Sequence, residues 1–132
     1  MYVKPTFTDI LRAKNRIAPY LSKTPLLEYP VLSEVLGFEA YVKHENYLPT
    51  GAFKIRGGIN LISQLSPEER ARGVVTASTG NHGQSIALAS KMFGGKAVVC
   101  VQEGANPIKV GGIRSYRAEI VEAGRGFDEA GE

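Results

Sequence analysis

Residues 73–90 read GVVTASTGNHGQSIALAS, and this run decides how the rest of the chain is parsed. GVVTAS is short, apolar and β-branched, which is the mark of a buried strand, and QSIALASKMFGG then supplies helix formers closed by two glycines. Between them stand Ser78, Thr79, Gly80 and Asn81, residue types that hydrogen-bond the free amides at a helix start. The same grammar continues downstream. AVVCVQ is a second strand, NPIKVGGIRSYR a glycine-weakened helix, AEIVEAG a third strand, and GFDEAGE the beginning of another helix. Strands alternating with helices at this spacing predict an α/β fold with a parallel sheet covered on both faces. Ligands of such sheets bind at the carboxyl ends of the strands, where helix N-termini begin. The 78–81 loop lies there, and its hydroxyls and amides suit a small carboxylate.

Upstream the pattern is less regular. Thr6 to Asp9 resembles a capping box ahead of a helix with Ile10, Leu11, Ile17, Ala18 and Leu21 on one face, ended or bent by Pro19. KTPLLEYP reads as a loop, Leu32 to Leu36 as a short helix closed by Gly37, and FEAYVKHE as a strand ending near Glu45. Ile55, Ile59 and Ile62 fall at i, i+4 and i+7, so Ala52 to Leu65 is expected to be an amphipathic helix. SPEERARG, residues 66–73, reads as a charged connector and a domain boundary, dividing the chain into 1–66 and 67–132. The alternation stops just after a helix has begun at Phe127, which suggests the leading portion of a longer protein.

Composition limits the function. The chain has 132 residues, 43% of them hydrophobic and 22% charged, with a net charge of +3 and no basic run, so a nucleic-acid partner is not expected. Cys100 is the only cysteine and reads as a buried strand thiol, which fits a reducing compartment. No signal-peptide core and no apolar run long enough for a bilayer stand in the sequence, and a cytoplasmic setting without membrane contact is expected. His82 has no other metal ligand near it in sequence, so a metal site is not expected.

TGAFKIRGG, residues 50–58, places Lys54 at the glycine-rich entry to the expected Ala52–Leu65 helix, beside Phe53. Unpaired amides and the helix dipole make that position electropositive, and desolvation beside Phe53 would add to the pressure toward a neutral amine. A neutral lysine amine is a nucleophile for carbonyl groups. Gly51, Gly57 and Gly58 would let a flat ligand approach the backbone. Taken alone, Lys54 reads as a surface lysine; the 78–81 loop gives it a partner.

ENYLPTGAFKIRGG followed by STGNHGQSIA resembles the pyridoxal-phosphate enzymes of fold type II, in the branch of serine/threonine dehydratases and serine racemases. KTPL, residues 23–26, is similar to a further signature of that family. The resemblance implies that Lys54 forms the Schiff base with pyridoxal 5'-phosphate and that Phe53 packs near the cofactor. It also implies that Ser78, Thr79, Gly80 and Asn81 bind the substrate carboxylate, with Asn81 contacting the cofactor's phenolic oxygen. Asn81-His82 and Lys54-Ile55-Arg56 follow the dehydratase and racemase habit rather than that of cysteine and threonine synthases. Ala52 stands where serine is commoner and Leu48 where dehydratases often have glutamine. The family's glycine-rich phosphate loop has no match in these residues. The expected activity is α,β-elimination from serine or threonine to a keto acid and ammonia, by a homo-oligomer acting on a small amino acid. The alternatives are an amino-acid racemase of the same branch, or a catalytically incompetent fragment or folding module lacking the phosphate loop. His82 is expected to be a structural neighbour.

Overall fold

The computed structural model describes residues 3–78 and 80–131. In chain order the elements are α1 (Phe7–Ile17), β1 (Leu26–Glu28), α2 (Pro30–Leu36), β2 (Tyr41–Lys43), a 3-10 turn (Glu45–Tyr47), α3 (Lys54–Ile62) and α4 (Pro67–Arg72). The second half continues with β3 (Val74–Ala77), α5 (Asn81–Met92), β4 (Ala97–Val101), α6 (Pro107–Ser115), β5 (Glu119–Glu122) and α7 (Phe127–Gly131).

The second half follows the predicted alternation. β4 lies between β3 and β5, parallel to both, with Val75 opposite Val98 and Val99 opposite Ile120. Ala97, Val99 and Val101 alternate along β4 and are buried against Ile86 and Ala87 of α5 and Val110 and Ile113 of α6. The intervening Val98 and Cys100 point to the other face, where α7 packs on β3 and β4. Cys100 is therefore half-buried and not the fully buried thiol expected, because the short α7 covers that face only in part.

The first half departs further from its sequence pattern. The Thr6–Asp9 capping box forms, with the Thr6 amide donating to Asp9 Oδ2 at 2.8 Å. The expected apolar face of α1 is only partly used: Ile17 and Leu21 pack on the core, while Ile10 and Leu11 are exposed. KTPLLEYP, read as a loop, contains β1, paired antiparallel with β2, and β2 is shorter than the strand expected over FEAYVKHE. SPEERARG, read as a connector, folds as α4. Ser66 and Glu69 form a reciprocal capping box, Pro67 opens the first turn, and Arg70 and Arg72 sit in the last, so each terminus carries charge favourable to the dipole.

A second core joins the two halves. Ile55, Ile59 and Ile62 of α3 pack with Leu48 and with Ala89 of α5. The two helices meet most closely at Gly58, where an added Cβ would lie 2.7 Å from the Ser85 carbonyl oxygen. The Ser85 hydroxyl donates to the Lys54 carbonyl at 2.6 Å, fixing the first turn of α3 against α5. No helix among the described residues is long and apolar enough to cross a membrane.

Candidate active site

Lys54 is the first residue of α3. The preceding Phe53 has helical backbone angles, and no side chain caps the first turn, so its amides keep their electropositive field. The desolvation expected beside Phe53 is not supplied: the Phe53 ring is 57% exposed and Lys54 is exposed too. The Lys54 ammonium lies 5.2 Å from the Phe53 ring centroid, a cation–π contact worth roughly 0.5–1 kcal/mol at an exposed site.

Phe53, Lys54, Gly57 and Leu61 of the α3 region line an open recess of about 370 Å³ together with His82 and Ile86 of α5. A Cβ on Gly57 would meet no atom within 4 Å, so this side of α3 presents bare backbone to the recess. Apolar walls, a bare helix face and one primary amine fit the ring and aldehyde carbon of pyridoxal 5'-phosphate. His82, expected only as a structural neighbour, lines the same recess as Lys54.

The loop ahead of α5 is built around Ser78. Its hydroxyl is buried and accepts from the Gly80 amide at 3.2 Å and the Gly83 amide at 2.8 Å. Both lone pairs are thus used to hold the helix start, while the hydroxyl proton remains available to an incoming acceptor. Thr79 lies outside the described residues. Asn81 opens α5, and its Oδ1 accepts from the Lys109 ammonium at 2.7 Å. Ser78, Gly80 and Asn81 are therefore gathered at one helix head, next to His82 of the recess, and Lys109 is a member that the sequence pattern did not mark.

A polar cluster steadies the other wall. Arg56 binds Glu45 in a two-pronged contact, Nε to Oε2 at 2.6 Å and Nη2 to Oε1 at 2.9 Å. Thr24 Oγ1 donates to Glu45 Oε1 at 2.5 Å, and Lys43 Nζ donates to the Thr24 carbonyl at 2.7 Å. Thr24 of the KTPL stretch and the first turn of α3 are thereby pinned to one carboxylate. Hydrogen bonds from Arg56, joined by that from Thr24 and by the charges of Arg56 and Lys43, hold the Glu45 carboxyl down to about 2 despite partial burial. A carboxyl lowered from 4.5 in this way stabilises the fold above pH 4.5, and the gain disappears as pH falls toward 2. Glu45→Gln is expected to lose about 2 kcal/mol at pH 7 and to flatten the acid limb of stability between those pH values, which denaturant melts across that range will measure. An unchanged acid limb would show that Glu45 does not carry it.

Residues 17–132 match a family described as pyridoxal-phosphate dependent enzyme. The chain is 42% identical over 123 residues to L-threo-3-hydroxyaspartate ammonia-lyase of Saccharomyces cerevisiae, covering 93% of this chain and 38% of that protein. It is 45% identical over 127 residues to L-threonine ammonia-lyase of Thermotoga maritima, covering 96% of this chain and 32% of that protein. Among solved structures, serine racemase of Dictyostelium discoideum superposes with a TM-score of 0.86 at 41% identity, over 95% of this chain and 41% of the other. The chain thus spans roughly a third to two fifths of the length of these relatives. The parallel sheet and its helices have the fold type II architecture that TGAFKIRGG and STGNHG resemble, and this chain belongs to the pyridoxal-phosphate dependent enzyme family.

Proposed function

We propose that this chain is part of an ammonia-lyase that eliminates water from a hydroxy amino acid, serine or threonine, to give a 2-oxo acid and ammonia. The observation that carries the reading is the shared recess. Lys54, at the head of α3, and His82, in the first turn of α5, line it together, and Ser78, Gly80 and Asn81 stand next to His82 at that helix head. Two relatives named as ammonia-lyases of β-hydroxy amino acids support the same chemistry.

In this reading Lys54 holds the cofactor, Phe53 and Gly57 flank the ring, and Asn81 donates to its phenolic oxygen. Bound pyridoxal phosphate supplies the electron sink that stabilises negative charge at the substrate Cα. The substrate carboxylate settles on residues 78–81, Thr79 included, where the Ser78 hydroxyl and the α5 head supply donors. Lys54 would then take the α-proton as general base and return it to the β-hydroxyl, which leaves as water. The enamine so formed tautomerises to an imine, and water hydrolyses it, supplying the keto oxygen and releasing ammonia. Residues 1–66 would contribute to the cofactor lobe and 67–132 to the substrate lobe. A cytoplasmic homo-oligomer is the proposed form, the single cysteine being in keeping with a reducing compartment.

A racemase is the second reading, favoured by 44% identity over 115 residues to a serine racemase. Incubating the full-length protein with L-serine and L-threonine separates the two. Formation of 2-oxo acid and ammonia as the main products supports the lyase. D-amino acid as the main product overturns it in favour of the racemase.

A further inference from the structure

The contact between Lys109 and Asn81 has a consequence for how Asn81 presents its amide. A lysine ammonium has three donors and no acceptor, so the Asn81 atom 2.7 Å from it has to be the oxygen. The Asn81 NH2 group is therefore turned away from Lys109. A neutral amide left alone could flip by 180° and expose its oxygen instead, at little cost in shape. The charge on Lys109 also polarises the amide and strengthens its N–H donors.

Lys109 is placed for this by α6. Asn106 caps that helix, its Oδ1 accepting from the amides of Ile108 at 2.9 Å and Lys109 at 3.4 Å. Val110 and Ile113 anchor the same helix in the core against Ile86 and Val99. Gln84, in the first turn of α5, reaches back toward the Lys109 carbonyl at 3.5 Å, and Gly112 leaves room for it, since a Cβ there would lie 2.4 Å from Gln84 Nε2. Two links thus tie the first turn of α6 to the first turn of α5. Lys109 itself is half-buried, which limits the rotamers available to its long side chain.

We propose that Lys109 is a positioning residue that holds the Asn81 side-chain oxygen toward α6, so that the amide N–H groups face the cofactor and substrate at the head of α5. This rests on the reading of the recess as a pyridoxal-phosphate site. One consequence does not depend on it, because the amide is oriented before any ligand arrives.

The test uses the full-length protein and has two arms. In the cofactor-free protein, Lys109→Met is expected to shift and broaden the Asn81 side-chain NH2 signals in nitrogen-15 NMR spectra, while Lys109→Arg, which keeps a donor, leaves them near their original positions. With pyridoxal phosphate as the probe, Lys109→Met and Asn81→Ala are each expected to raise the cofactor dissociation constant about tenfold, and the double variant no further than either. Unmoved Asn81 signals in Lys109→Met, or a double variant whose loss is the product of the two single losses, would overturn the proposal. Absence of cofactor binding by the unaltered protein, with the NMR arm positive, would sink the cofactor reading and leave the orientation of Asn81 by Lys109 standing.

Discussion

Lys54→Ala is expected to lower turnover of the full-length protein on serine or threonine by a thousandfold or more, roughly the range of one positioned general base and greater if the cofactor's anchor goes with it. The fold should survive. Lys54 is exposed, its cation–π contact with Phe53 is weak, and its backbone carbonyl, which accepts from Ser85, is unaffected by the change. Circular dichroism and the melting midpoint are therefore expected to stay close to those of the unaltered protein, and a small primary amine added to the assay should restore part of the rate. A variant that keeps more than about a tenth of the activity would remove Lys54 from the chemistry, since the expected loss is two orders larger.

Gly58→Ala is expected to destabilise the fold strongly. The new Cβ would lie 2.3 Å from Ser85 Oγ and 2.7 Å from the Ser85 carbonyl oxygen. The hydroxyl can rotate away, at the cost of its bond to the Lys54 carbonyl, but backbone oxygen cannot. α3 and α5 must then separate, although Ile55, Ile59 and Ala89 hold them together. Overpacking of this kind costs about 1–3 kcal/mol, against which alanine regains under 1 kcal/mol of helix propensity. Gly57→Ala, one residue earlier, is the control. Its Cβ meets nothing within 4 Å, so stability should rise by about 0.5–1 kcal/mol. The same methyl enters the recess beside Lys54 and should weaken binding of pyridoxal phosphate. Denaturant melts of the two variants are expected to move in opposite directions. Equal shifts would mean that α3 does not pack on α5 through Gly58.

What the sequence made legible was local. The β-branched run of β4 with its buried alternate residues, and the i, i+4, i+7 isoleucines of α3, carry their periodicity within a single element. Lys54 and Asn81 lie near helix starts by the residues beside them, but the helices begin at Lys54 and Asn81 themselves and not at Ala52 and Gln84 as the pattern gives. β1 was missed because three exposed residues have no inside and outside to alternate. α4 was missed because its charge masked the Ser66–Glu69 cap, a signal that was present. The site's supporting contacts were not legible at all. Arg56 and Glu45 are 11 residues apart, and Lys109 and Asn81 are 28 apart, so only the folding of the 3-10 turn onto α3 and the packing of α6 on α5 bring them together. The exposure of Phe53 had no sequence signal either, since an aromatic beside a lysine reads as shelter until the surrounding surface is known.

Attachment of the cofactor to Lys54 can be read chemically. Full-length protein incubated with pyridoxal phosphate, reduced with borohydride, digested and mapped by mass spectrometry tests it directly. A pyridoxyl group on the Lys54 side chain is expected as the dominant modification, absent from the Lys54→Ala variant. Dominant labelling of another lysine, with Lys54 unmodified, would contradict it.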